Sequence, residues 1–154
     1  MTTQTTRPAA ATTTTTLTAP SHIYPATLLQ RSITADYLLA IPMALNFTAL
    51  ASPAGTLLGL PTSFTLGLGI FLIFWATFMW RVSRTSPTPL AGTVTILAVN
   101  VAWVALSVAI AAGAWFELTT TGIAFVAAQA VAVTAVTTLE VLAARHVYRP
   151  ATTA

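Results

Sequence analysis

Few residues in this chain can do chemistry, and most of them sit inside apolar sequence. Asp36 and Glu140 are carboxylates within such stretches, and Asn46, Asn100 and Gln129 are amides. Ser107 follows Asn100 by seven residues, so the two share a helical face, and Thr93 extends the same stripe. Gly122, Gln129 and Glu140 align in the same way on a later segment. Ionisable groups in hydrocarbon are costly, so each needs a reason. For the two acids there are two readings. One is an interfacial ring of ion pairs with Arg31, Arg81, Arg84 and Arg145, which pins the helix ends. The other is a proton-coupled or cation site. Asp36 is expected about one turn into its span, where a carboxylate reaches water cheaply, so the ion-pair ring is the preferred reading. For the amides the preferred reading is hydrogen bonding between helices, worth about 0.6 kcal/mol each. The alternative is a polar pocket or solute path.

The missing chemistry is equally informative. There is no cysteine, which removes disulfides, thiolate metal sites and iron–sulfur clusters. There is no lysine, hence no Schiff base. His22 and His146 fall outside the apolar segments, and Met43 and Met79 alone are poor axial ligands for haem. No nucleophile–base pair, metal-ligand cluster or phosphate-binding loop is visible. The expectation is a protein that is not an enzyme, with no cofactor and no metal.

These residues need elements to hold them. Of 154 residues 56% are hydrophobic and 6% charged, with a mean hydropathy of +0.82. A soluble domain carries about 25% charged residues. Four apolar segments stand out, at about 33–51, 64–82, 90–114 and 119–143. Each is about 19 to 25 residues, long enough for a helix to cross about 30 Å of hydrocarbon. Backbone groups in lipid must satisfy one another, which favours helices. The expected fold is all-α: a four-helix transmembrane bundle over 31–149, preceded by a disordered Thr/Ala/Pro-rich tail over 1–30. The tail lacks the apolar core of a signal peptide.

Punctuation supports the boundaries. Ser52-Pro53-Ala54-Gly55 is expected to break the chain after the first span, with Gly55 and Gly59 as loop glycines. Thr62 or Ser63, Thr88 before Pro89, and one of Thr119, Thr120 and Thr121 are the expected N-caps. Pro42 should kink the first helix. Small residues at Ala105, Ala109 and Gly113, and at Ala124, Ala128 and Ala132, have the spacing of close-packing faces. Phe64, Phe71, Phe74 and Phe78 form an aromatic stripe flanked by Trp75. Gly67 and Gly69 on the same segment are candidate close-approach points.

The net charge of +3 and pI near 10.2 rest on six arginines. Arg7, Arg31, Arg81, Arg84, Arg145 and Arg149 all fall on one side of the expected bundle, and the two opposite loops carry none. By the positive-inside rule both termini are cytoplasmic. The basic excess is an orientation signal, so no nucleic-acid partner is expected. Trp80 and Trp115 lie at span ends, where aromatic anchors belong.

The second half is the most distinctive stretch. Asn100-x-x-Trp103-Val104-x-x-Ser107 is followed by Leu118-Thr119-x-x-Gly122 and Gln129-Ala130. Over residues 90–145 this resembles a group of small bacterial integral membrane proteins with four spans and no assigned activity. Asp36 and the Leu58-Gly59-Leu60-Pro61 turn extend the resemblance more loosely. It implies a four-helix fold in a bacterial plasma (inner) membrane, and no reaction. Small multidrug transporters also have four spans and an acid in the first, against which Asp36 can be set. They differ in length and surrounding motif, and their dual insertion needs a weak charge bias that this chain lacks.

Two functions follow. The first is a non-enzymatic accessory or structural bundle, whose partners are the lipid bilayer and either another membrane protein or further copies of the chain. The second is a small transporter or channel, proton-coupled in one form, using Asp36, Glu140 and the amide layer. The absence of cysteine makes the expected topology easy to test. Cysteines introduced at Thr56 and Thr120 should react with an impermeant maleimide from outside the cell, and one at Ser86 should not. Labelling of Ser86→Cys from outside would reverse the orientation.

Overall fold

The computed structural model describes residues 23–148. Arg7, His22, Arg149 and residues 1–22 of the expected tail lie outside them. The described residues form five helices and no strand: α1 Ile23–Ala49, α2 Ala51–Leu58, α3 Thr62–Arg84, α4 Leu90–Ala111 and α5 Thr120–Val147. Helices α3, α4 and α5 are each long and apolar enough to cross a membrane. Helices α1 and α2 qualify only together, as a pair bent by 103° that forms either a broken span or a re-entrant loop. The all-α class stands, with three candidate spans, or four if the bent pair counts as one.

The first helix departs most from expectation. It begins at Ile23, so residues 23–30 of the expected tail are helical. The helix runs through Pro42 as one element, and the break comes at Leu50 (φ −121°, ψ 35°). The expected breaker Ser52-Pro53-Ala54-Gly55 is instead the start of α2. A proline in a first turn costs little, because its missing N–H would have no partner inside the helix. Helix α2 ends at Gly59, whose φ of +78° is the left-handed conformation that glycine adopts without penalty.

Thr119 joins α2 to α5. Its N–H donates to the Leu58 carbonyl (3.2 Å) and its hydroxyl to the Leu57 carbonyl (2.6 Å). The same hydroxyl accepts from the Gly122 N–H (3.0 Å), the expected N-cap of α5. One side chain thus satisfies orphan groups of two helix ends. The other two expected caps shift by a residue or more. Helix α3 is preceded by Pro61 and α4 by Pro89, both extended and without side-chain caps. Thr65 and Thr93 instead bond back to those prolines' carbonyls. At the opposite end of the bundle, the Tyr148 hydroxyl donates to the Thr88 carbonyl (2.8 Å), and Gln30 reaches the Thr85 carbonyl (3.4 Å).

Helix α1 packs on α3 and α5, and α5 packs on α4, while α3 and α4 touch least. Close approach is set by single glycines. A Cβ on Gly69 would lie 2.7 Å from backbone atoms of Phe47 and Thr48 on α1. A Cβ on Gly122 would collide with the Leu58 carbonyl, whereas Gly67 faces open space. The two alanine-rich stripes do not form the packing faces expected of them. Ala105, Gly113, Ala124, Ala128 and Ala132 are exposed, and only Ala109 is half-buried. The buried faces of α4 and α5 carry the polar stripes instead, with Thr93, Asn100 and Ser107 on one and Gly122 and Glu140 on the other.

These contacts set a stability test. Gly122→Ala forces backbone apart at the α2–α5 junction and should cost about 1–3 kcal/mol, the range for overpacked sites. Gly67→Ala should be neutral or stabilising by up to about 1 kcal/mol, since alanine is the better helix former. Thermal unfolding in mild detergent checks both, and equal effects would contradict the junction.

Candidate functional site

The centre of the bundle brings together three residues from three helices. Asp36 is the central residue of α1, and Asn100 lies at the centre of α4. Glu140 lies about two turns from the end of α5. The Asn100 amide nitrogen donates to Asp36 Oδ2 at 2.7 Å and lies 3.4 Å from Glu140 Oε2. Exposures are 6% for Asp36, 3% for Asn100 and 0% for Glu140, so all three side chains are buried. Helices α1 and α4 do not pack backbone against backbone. The Asn100 side chain spans the space between them.

The arginines take no part. Arg31, Arg81, Arg84 and Arg145 are exposed, and among the described residues no ion pair joins them to either acid. The expected ring of ion pairs does not form among the described residues, because both acids meet the Asn100 amide instead. Starting the first span at residue 33 placed Asp36 one turn from its end, but α1 starts at Ile23 and carries Asp36 to its middle. The partner of that carboxyl group is an amide. Glu140 is left incompletely satisfied, because its Oε1 has no hydrogen-bond partner among the described residues. Thr137 Oγ1, one turn away on the same face of α5, is the other buried oxygen without one.

A second polar group lies one to two turns along α4. Trp103 Nε1 donates to Gln129 Oε1 (2.7 Å), and Gln129 Nε2 donates to Ser107 Oγ (2.8 Å). Ser107 Oγ donates in turn to the Trp103 carbonyl (2.8 Å). This closed loop is the expected interhelical bonding between α4 and α5. Trp103 was not expected in it, although its position three residues after Asn100 and four before Ser107 puts it on the same face. Asn46 belongs to neither group. It is exposed on α1, beside an apolar groove with Phe47, Pro53 and Phe125, and its side chain bonds to no other helix among the described residues.

Between the two groups lies a cavity of about 260 Å³. Asp36 and Asn100 line one part of it and Gln129 and Trp103 another, with Met43, Leu72, Trp75 and Met79 among the apolar walls. Its lining comes from α1, α3, α4 and α5. Trp75, which flanks the aromatic stripe of α3, lines it; Phe71 stacks on Trp75 and on Trp103 with ring centres 6.2 Å apart in each case, and Trp75 stacks on Phe78 at 5.4 Å. The stripe does not act as a unit. Phe64 pairs with Phe116 at the far end (4.7 Å), and Phe74 is 72% exposed.

No protein family, no curated protein and no solved structure matches the chain. Function must therefore be argued from the site itself. No group of three or more His, Cys, Asp or Glu able to hold a metal occurs among the described residues.

The cluster makes a stability prediction. Asn100→Leu removes the only partner shared by two buried acids and should destabilise the protein by about 3 kcal/mol or more, the cost of stranding buried charged groups. Replacing all three polar side chains with leucine should recover most of that loss. Reversible unfolding in detergent measures both, and a neutral Asn100→Leu would remove the bridge from the account.

Proposed function

We propose that this chain is a four-span membrane protein acting as a small carrier that exchanges protons and cations at the Asp36–Asn100–Glu140 cluster. In this reading α1 and α2 form one broken span. Both termini are cytoplasmic, and the protein resides in the plasma membrane. The orientation draws support from the bundle, since Arg31, Arg81, Arg84 and Arg145 share the end where Gln30 meets Thr85 and Tyr148 meets Thr88. Trp80 and Trp115, at opposite ends, are both exposed as interfacial anchors would be.

One observation carries the carrier reading. Two buried acids share a single amide nitrogen beside a cavity, with no ion pair to an arginine among the described residues. Two negative charges so placed repel, and a proton or another cation relieves the repulsion. A bundle that only needed its register fixed already has the satisfied Trp103–Gln129–Ser107 loop. Intramembrane carboxylates of this kind mark ion or proton pathways.

The accessory reading keeps one observation in its favour. The exposed small residues Ala124, Ala128 and Ala132 on α5 offer a surface on which another membrane helix can pack. A single assay separates the two readings. Purified chain in proteoliposomes with an imposed pH gradient, given a panel of small monovalent cations, should dissipate the gradient. Asp36→Asn and Glu140→Gln should each reduce the rate at least tenfold while helical content is unchanged. A scaffold gives no flux with or without its carboxylates, and wild-type flux in both variants removes the acids from the mechanism.

A further inference from the structure

We infer that the cleft between α1 and α3 holds one acyl chain of an anionic phospholipid, with the lipid's phosphate on Arg81 and Arg84. The site lies apart from the acid cluster and requires of the proposed function only that α1 and α3 lie in a bilayer. The cleft has a volume of about 420 Å³. Ala44 and Ala76 form its floor: both are buried, and their small side chains give it depth. Ile41, Leu45 and Ile73 stand beside them and are exposed.

The cleft has a direction. Helices α1 and α3 run antiparallel, since Gly69 meets the backbone of Phe47 and Thr48 while Thr85 meets Gln30. Leu45 and Ile73 therefore mark the deep end, and Tyr37 and Trp80 the end nearest the arginines. From Ile73 to Trp80 is about 10 Å of helix. Half of a hydrocarbon core is about 15 Å. The cleft thus matches a chain from a single leaflet. Trp80 is exposed at its mouth, the depth at which indoles meet headgroups.

Charge selects the headgroup. Arg84 follows Trp80 by four residues and Arg81 follows Thr77 by four, so both continue the cleft's face of α3. Both arginines are exposed. The described acids lie elsewhere: Asp36 and Glu140 are buried against Asn100, and Glu117 follows α4 at the opposite end. Two guanidinium groups with no carboxylate beside them offer a phosphate paired N–H donors. Gln30, held on the Thr85 carbonyl, places an amide at the same end. A zwitterionic headgroup brings its own cation towards the arginines, so a lipid of net negative charge is the better fit. Arg145 is exposed at the same end of the bundle but on α5, which does not pack on α3.

Native mass spectrometry of the full chain released from detergent micelles tests the site. Palmitoyl-oleoyl phosphatidylglycerol, phosphatidylcholine with the same chains and glycerol phosphate are titrated in turn. The expected result is one phosphatidylglycerol per chain, held at least tenfold more tightly than phosphatidylcholine, and no retention of glycerol phosphate. Arg84→Gln should weaken the phosphatidylglycerol complex at least fivefold, and adding Arg81→Gln should abolish the preference over phosphatidylcholine. Arg145→Gln, which removes the same charge from the same end, should leave binding within twofold. Thr77→Phe, whose ring fills the cleft and leaves both arginines in place, should weaken binding at least fivefold.

Equal retention of the two lipids, or equal effects of Arg84→Gln and Arg145→Gln, overturns the site and identifies non-specific adsorption. Binding unchanged in Thr77→Phe overturns the seat of the acyl chain. A dimer of the chain in place of the lipid complex overturns the lipid in favour of a second copy. No lipid on a chain that still inserts into vesicles overturns the site alone. A chain that fails to insert overturns the membrane reading with it.

Discussion

The interaction on which the bundle turns is one amide nitrogen shared by two acids. Asn100 reaches from the centre of α4 to Asp36 at the centre of α1 and to Glu140 on α5. The backbones of α1 and α4 stay apart. The side chain is a strut across a space that the apolar residues leave open. Burying three such groups costs far more than the bond returns unless every one is paired, and here they are not. Glu140 Oε1 has no partner among the described residues.

The contrast with the second polar group clarifies what the first is for. Trp103, Gln129 and Ser107 close a ring of donors and acceptors within a few residues of the cluster. That ring fixes how α4 meets α5, as interhelical hydrogen bonds do in membranes. The ends of the bundle are fixed independently by Thr119 on the α2 carbonyls and by Tyr148 on Thr88. Register, end geometry and close approach at Gly69 and Gly122 are thus set without the acids. What the acids add is the link from α1 to α4 through Asn100, made at the cost of burying two carboxyl groups.

Much of the architecture was legible in the sequence, because hydrocarbon length and helical period leave strong marks. The stripe of Thr93, Asn100 and Ser107 is buried as its spacing implies, and Thr119 caps α5. The start of α1 was not legible. Gln30, Arg31 and Ser32 read as the edge of a span, yet the helix continues through them to Ile23. That single boundary moved Asp36 from the first turn of a helix to its middle, where it meets an amide. Helix α2 was hidden because proline and glycine read as breakers, although a first turn accepts proline. The alanine stripes misled for a compositional reason: in an alanine-rich chain small residues recur on every face. The cavity lies where neighbouring side chains fail to meet, which no periodicity records.

The central claim is that Asp36 and Glu140 form one site through Asn100. Infrared titration of the carboxyl bands of the full chain in bilayers tests it most directly. The account predicts coupled titration, in which Asp36→Asn shifts the pH response of Glu140, Glu140→Gln shifts that of Asp36, and Asn100→Leu alters both. Two carboxyl groups that titrate independently, each indifferent to loss of the other, would contradict it.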